Sequence, residues 1–132
     1  MNGIELASAV AERLASLPRT VYVHAVPSGH LPTRYLLVRT SEGSEEATRA
    51  VGTVSTQTPA VWVHSVSMHP APEMAAREAA WGAGKVREAL RNWRPQDRWA
   101  VTHEVSDVAR RDESLPATTF VATEQFSFRS SV

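Results

Sequence analysis

The chain contains no cysteine among its 132 residues, and its only lysine is Lys85. Disulfides, thiolate nucleophiles and cysteine-ligated metals are therefore excluded, and lysine-based covalent catalysis would depend on a single side chain. Lysine plus arginine equals aspartate plus glutamate at 14 each, so no net charge attracts the chain to nucleic acid or to a membrane. No apolar run approaches the roughly 20 residues that a membrane-spanning helix needs.

The N-terminus also lacks the uninterrupted apolar segment of a secretion signal, because Glu5 and Glu12 interrupt it. What is present is an ordinary globular composition, 42% hydrophobic and 21% charged. These observations predict a soluble, intracellular protein with a single domain over residues 1–132.

Two segments have the periodicity of amphipathic helices. In Gly3–Leu17 the apolar residues recur every three or four positions, and Pro18 is expected to stop the helix. Met74–Trp93 is predicted as the longer helix, although Gly82 and Gly84 each cost about 1 kcal/mol relative to alanine. Small residues dominate its predicted buried face, so we expect its backbone to lie close to a sheet.

Six segments have the alternation or composition of β-strands. They are Val21–Ala25, Thr33–Thr40, Val51–Thr58, Ala60–Met68, Arg98–Asp107 and Thr118–Arg129. The short spacing of the first two favours an antiparallel hairpin, and the last is expected to pair inside the sheet. Ala60–Met68 is apolar on both faces and is expected to be central, whereas Ala109–Glu113 is predicted as a charged loop.

This order of elements predicts an α+β fold. We expect a mostly antiparallel sheet of about five to six strands, with two helices packed on one face. One segment, a polar arm at about residues 41–58, does not have the apolar residues expected of a core element. It has few large apolar residues, and its notable members are Glu42, Glu45, Glu46, Arg49, Val51 and Thr53. Such an arm contributes little to its own core and is useful if it lies against a neighbouring subunit.

Residues that carry chemistry are few and scattered. His24, His64 and His103 lie on predicted strands and His69 lies at the end of one, so three of these histidines could in principle form a metal site. No spacing typical of metal sites supports it, and positions five apart on a strand, as in His64 and His69, point to opposite faces. The sequence has no nucleophile elbow and no phosphate-binding glycine loop. We therefore predict no catalytic residue, no metal and no cofactor.

The second predicted helix carries the most informative surface residues. Trp81 lies about 120° from the apolar stripe of this helix, near Arg77 and Lys85, and Met74 precedes it by two turns. Tryptophan and methionine are enriched at protein interfaces, although Trp81 covered by a loop of its own chain is an equal alternative. Three arginines follow at helical spacing; these are Arg87, Arg91 and Arg94. A solvated stripe is the favoured interpretation, and binding to an acidic partner is the alternative.

Taken together, these elements resemble the tail terminator, or tail-completion, proteins of long non-contractile-tailed phages, particularly those that infect actinobacteria. The resemblance covers about residues 3–128. It is carried by LASLP, VYVHAVPSGHLPTRYLLV, WVHSVSM, AREAAWGAGKVREALRNW and THEVSDVARRDESLPATTFVATEQFSF. The most telling part is the last, with a histidine-containing strand, a charged turn and an aromatic strand.

The resemblance implies a non-enzymatic α+β subunit of the virion. Such subunits form a homo-hexameric ring that caps the tail tube protein, stops tube polymerisation and binds the head-completion or connector protein. DNA passes through the lumen without specific binding, and assembly takes place in the host cytoplasm, with no membrane partner. As interface candidates we take Met74, Arg77, Trp81 and Lys85 on one side and the arm at 41–58 on the other, because a closed ring requires two different patches to fit.

Other functions remain open at this stage. The nearest alternative is another phage neck subunit, such as a stopper or connector. From a different class, a small α+β ligand-binding domain or enzyme would require a pocket that gathers His64, His103 and a carboxylate.

Overall fold

The computed structural model describes residues 2–29, 31–40, 59–96, 98, 100–115 and 117–129. In chain order the elements are α1 (Gly3–Leu14), β1 (Thr20–Val23), β2 (Arg34–Thr40), β3 (Ala60–Met68), α2 (Pro72–Leu90), β4 (Thr102–Arg111) and β5 (Thr119–Ser127). The predicted strand Val51–Thr58 and the rest of the arm at 41–58 lie outside the described residues.

The strands form one five-stranded sheet in the order β1-β2-β3-β5-β4. β3 is central, as its apolar composition predicted, and β5 pairs on both sides, with β3 and β4. All neighbouring pairs are antiparallel except β1 with β2. The sheet is therefore mixed but mostly antiparallel.

The parallel pairing of β1 corrects the predicted hairpin. Thr20 lies opposite Tyr35 and Val23 lies opposite Val38, so both strands run in the same direction. The prediction failed because it took the turn at Pro27 as a hairpin turn. Ten residues, 24–33, separate the two strands, and hairpin loops use about 2–5 residues. A connection of this length lets the chain return to the start of β1 before β2 begins.

Helix α1 begins at a side-chain cap, where Asn2 Oδ1 accepts a 2.8 Å hydrogen bond from the Glu5 amide. Its buried residues, including Leu6, Val10 and Leu14, recur at helical spacing. The helix ends at Leu14, three residues before the predicted Leu17. Pro18 disfavours helical backbone at the residue before it, so the helix has to end ahead of Leu17.

Helix α2 starts at Pro72, a position that suits proline because the first amides of a helix have no intrahelical acceptor. Its buried face is built of small residues, and it crosses β3 at Gly82. A Cβ at Gly82 would fall on Ser65 Oγ and lie 3.3 Å from Ser65 Cβ. The expectation that this helix backbone lies close to the sheet is therefore confirmed.

Both helices pack on the same face of the sheet. The main core joins α1, α2 and alternate strand positions; its fully buried members include Leu6, Leu14, Leu36, Val38, Val61, Val63, Val86, Leu90, Phe126 and Phe128. The prediction of an α+β fold with two helices on one sheet face is confirmed. In the described part of the chain, neither helix is long and apolar enough to cross a membrane.

The edge strand β4 differs from its predicted position. It spans Thr102–Arg111, so most of the predicted charged loop at Ala109–Glu113 is strand. Its pairing with β5 shifts register between His103 and Val105 and again between Asp107 and Arg110. The strand is exposed along nearly its whole length, so it lacks the apolar alternation that would have marked its bounds.

Candidate functional site

A cationic groove lies where the first half of α2 meets the starts of β1 and β2. Its volume is about 430 Å³, and its lining residues are Pro18, Arg19, Arg34, Arg77, Glu78 and Trp81. A neighbouring depression of about 300 Å³ shares three of these residues and extends the groove past Thr20 and Pro32. We call the two together the Trp81 groove.

The indole of Trp81 forms one wall of this groove. The Arg19 guanidinium carbon lies 4.8 Å from the ring centroid, and Lys85 Nζ lies 5.4 Å from it. Cations at these distances are attracted by the electrons of the ring face. Trp81 keeps 44% of its surface exposed, so the described residues, including Arg19 in the connection between α1 and β1, cover the ring only in part.

Arg19 is held at the back of the groove by main-chain acceptors. Its Nη2 donates to the Glu78 carbonyl and its Nη1 to the Pro18 carbonyl, each over a long 3.4 Å. Its Nε is buried and has no hydrogen-bond partner. Burial, followed by the charge of Arg34, lowers the pKa of Arg19, so this guanidinium lies in a site that disfavours positive charge.

Cations outnumber carboxylates in the Trp81 groove. Glu78 is the one acidic residue among the described residues that line the groove, and it forms a loose 3.8 Å ion pair with Arg34. Arg77 is exposed and forms no ion pair with any described residue. The groove therefore has positive charge that the described part of the chain does not neutralise.

The structure brings together some of the predicted interface residues. Trp81, Arg77 and Lys85 lie at or beside the groove, and Met74 is 38% exposed on the same helix. Lys85 also forms an ion pair of 3.4 Å with Glu88. The remaining candidates lie outside the described residues; these are Glu42, Glu45, Glu46, Arg49, Val51 and Thr53.

A second polar cluster lies on the other side of α2, around Glu124 of β5. This carboxylate is 1% exposed. Its Oε1 accepts hydrogen bonds from Arg87 Nη1 and, at 2.7 Å, from Ser106 Oγ, while His103 Nε2 lies 2.7 Å from Oε2. The imidazole of His103 also stacks against Phe126, with centroids 5.1 Å apart. Both carboxylate oxygens are therefore occupied by groups of the chain itself.

The Glu124 cluster was not predicted from the sequence, and one of its members, Arg87, was expected to be solvated. Glu124 occurs in the row Phe120, Ala122, Phe126 and Phe128, which was correctly expected to face one way. A lone charge in such a row is a signal, because a buried carboxylate requires partners. Arg87 was assigned to a solvated stripe, and the structure corrects this. The pairing of Arg87 with Glu124 was not apparent because the two residues lie 37 positions apart in sequence.

The histidines do not assemble into a site. His103 lies on the helix-covered face with Glu124, whereas His64 pairs with Thr123 on the opposite face and shares a 2.8 Å hydrogen bond with its hydroxyl. Burial, followed by the Arg39 charge, lowers the pKa of His64. Among the residues that the structure describes, no three histidine or acidic side chains are grouped to hold a metal ion.

Comparison with known proteins adds no identification. No protein-family model matches the chain, and no curated protein is similar to it.

Proposed function

We propose that this chain is the tail terminator of a long non-contractile-tailed phage. It assembles as a closed ring, a homo-hexamer, on the end of the tail tube, stops tube polymerisation and binds the head-completion or connector protein. The observation that carries this proposal is the exposed Trp81 at the mouth of a cationic groove. The resemblance of the chain to tail terminators supplies the biological setting.

Trp81 supports a contact between subunits because exposure of this side chain is costly to a monomer. A large aromatic ring contributes most to binding when a partner desolvates it. Met74 lies seven positions earlier on α2, on the same side of the helix, and both side chains are exposed. Interfaces are enriched in tryptophan, methionine and arginine, and all three residue types occur here.

The other features of the molecule suit a structural rather than a catalytic role. The carboxylate of Glu124 is 1% exposed, and both of its oxygens contact Arg87, His103 or Ser106, so a substrate has little access to it. The pocket that the enzyme alternative requires would need His64 and His103 together, and these lie on opposite faces of the sheet. DNA would pass through the ring without sequence-specific contacts, in keeping with a neutral chain.

Replacement of Trp81 by glutamate tests this proposal. We expect Trp81→Glu to remain a folded monomer by circular dichroism and to lose ring formation on purified tail tubes, measured by light scattering and negative-stain microscopy. Leu115→Glu is a matched control, because Leu115 is also 44% exposed but lies in the turn between β4 and β5. Rings formed by Trp81→Glu as readily as by the unmodified chain would remove Trp81 from the interface.

The size and position of the ring separate the tail terminator from other neck subunits. A terminator binds the free end of a tail tube, whereas a stopper or connector binds the head side. Exclusive binding to DNA-filled heads, with none to tubes, would replace the proposed function by the neck alternative.

A further inference from the structure

Three buried polar atoms close to the Trp81 groove have no hydrogen-bond partner among the described residues. They are Arg19 Nε, Ser65 Oγ and Ser67 Oγ. The two serines are 1% and 0% exposed. Buried polar groups in folded proteins are nearly always hydrogen-bonded, so three exceptions in one region indicate polar groups that the subunit itself does not satisfy.

These atoms lie behind the wall of the groove, where α2 crosses the sheet. Ser67 on β3 pairs with Arg34 on β2, and both residues alternate with core residues on the helix-covered face. Ser65 Oγ lies under Gly82, and Arg19 Nε is 3.7 Å from the position that a Cβ would take on Gly82. Because Arg19 and Arg34 line the groove, the unpartnered atoms and the cationic lining belong to one region.

The guanidinium groups of the groove are only weakly engaged by the subunit. The hydrogen bonds of Arg19 to two carbonyl oxygens are 3.4 Å long, and Arg34 Nη1 is 3.8 Å from Glu78 Oε1. Arg77 forms no ion pair with a described residue. Hydrogen bonds between guanidinium and carboxylate groups normally measure about 2.7–2.9 Å, so these side chains retain donor capacity for an anion.

The charge of this surface stays positive when the neighbouring ion pair is included. Lys85, beside Trp81, is paired with Glu88 at 3.4 Å, so these two residues add no net charge. The lining has three arginines and the single carboxylate of Glu78 among its described residues, which leaves plus two. An anionic ligand would neutralise this charge and would also oppose the effect of burial, which lowers the pKa of Arg19.

The walls of the groove indicate which kind of anion suits it. The indole of Trp81 and the rings of Pro18 and Pro32 provide apolar surface beside the arginines. A free phosphate ion would leave this surface in contact with water. The methylene groups of a glutamate side chain or of a free dicarboxylate can pack against it while the carboxylate meets the planar fork of a guanidinium group.

We propose that the Trp81 groove is a carboxylate-binding site. Arg34 and Arg77 bind the carboxylate, and Trp81 packs against its aliphatic stem. In the ring, the carboxylate belongs to an acidic side chain of a partner protein chain in the tail. This source of the ligand rests on the proposed function, whereas the site depends only on side chains of the subunit.

Titration of the full chain with small probes tests the site. The peptide acetyl-Gly-Glu-Glu-Gly-amide should change the NMR signals of the Trp81 indole N–H and the Arg19 Nε–H, and its glutamine analogue should bind at least about tenfold more weakly. Arg77→Gln should weaken peptide binding about tenfold, because one charged donor group is lost. Arg110→Gln, which changes an exposed arginine of β4, is the matched control and should bind the peptide unchanged. Circular dichroism checks that both variants are folded.

Two further probes separate the possible ligands. Glutarate binding as tightly as the peptide would replace the partner side chain by a free dicarboxylate as the ligand and retain the site. Inorganic phosphate binding as tightly as the peptide would overturn a site that selects carboxylates with an apolar stem. Unchanged signals of Trp81 and Arg19 with all the probes would overturn the site outright.

The same preparations distinguish this inference from the proposed function. A chain that forms rings on tail tubes but binds no acidic peptide would overturn the carboxylate site and leave the function standing. A chain that binds the peptide but never assembles on tubes would overturn the function and retain the site.

Discussion

Two polar sites flank helix α2, and they differ in whether their charges are matched. On the side of β4 and β5, Arg87 and His103 share the fully buried Glu124. On the side of β1 and β2, Arg19 and Arg34 line a groove in which Glu78 is the one carboxylate. Within the described residues, the charges of the first site are paired inside the subunit, whereas the second has unpaired positive charge and an exposed indole.

The difference indicates which site stabilises the subunit itself and which is available to a partner. A buried carboxylate that loses a partner is strongly penalised, so the Glu124 cluster holds the edge strand β4 against β5 and α2. Surface cations around Trp81 contribute little to the stability of a single subunit, because water solvates them. We therefore expect substitutions in the first site to change folding and substitutions in the second to change assembly.

The largest effect is expected from Glu124→Ala. Arg87 and His103 would lose their shared acceptor, and a cavity would remain, so the free energy of unfolding should fall by about 3 kcal/mol. Chemical denaturation followed by circular dichroism measures this change. Glu104→Ala is the control, because Glu104 is an exposed acid on the neighbouring strand β4 that accepts a 2.6 Å hydrogen bond from Ser127. Equal losses in the two variants would contradict the distinction between a closed cluster and a surface contact.

An intermediate loss in the free energy of unfolding is expected where α2 touches the sheet, between the two sites. Gly82→Ala would place a methyl group on Ser65 Oγ and move the helix, with a net loss of about 2 kcal/mol despite the better helix propensity of alanine. Gly84→Ala is the matched control. Its methyl group would meet only Arg87 Nη2 at 3.5 Å, so it should stabilise the protein by about 1 kcal/mol.

Ser65→Ala should partly rescue Gly82→Ala. It removes the hydroxyl that the new methyl group would strike, and that hydroxyl has no hydrogen-bond partner to lose. The free energy of unfolding of both single variants and the double variant is measured by chemical denaturation. If the two changes simply add, Gly82 and Ser65 do not determine the spacing between α2 and β3.

The smallest effect on stability is expected from His64, on the face of the sheet opposite to both sites. Because the pKa of His64 is lowered in the folded state, its imidazole is neutral in both states above about pH 6.5 and has no effect there. As the pH falls below that value, the unfolded chain takes up the proton first, and stability is lost. Thermal unfolding between pH 7.5 and 5.5 should therefore depend less on pH in His64→Gln than in the unmodified chain. A steeper dependence in the variant would contradict the lowered pKa.

Much of the fold followed from local pattern, and most of the site did not. The central position of β3, the placement of β5 within the sheet and the exposure of Trp81 were all predicted from periodicity. The groove was not predicted, because Arg19 and Trp81 lie 62 positions apart and come together only through the packing of α2 on the sheet. The Glu124 cluster was missed for the same reason.

By itself, the sequence determined most of the helices and strands and which side of each is apolar; the exposed edge strand β4, predicted in part as a loop, is the exception. These properties depend on residues within a few positions of one another, and backbone geometry converts their spacing into a face. The tertiary structure alone decided that β1 runs parallel to β2, and that one arginine of α2, Arg87, is neutralised by a buried carboxylate while Arg77 has no ion pair within the described residues. Direction and charge balance depend on contacts between distant parts of the chain, and those contacts exist only once the helices lie on the sheet.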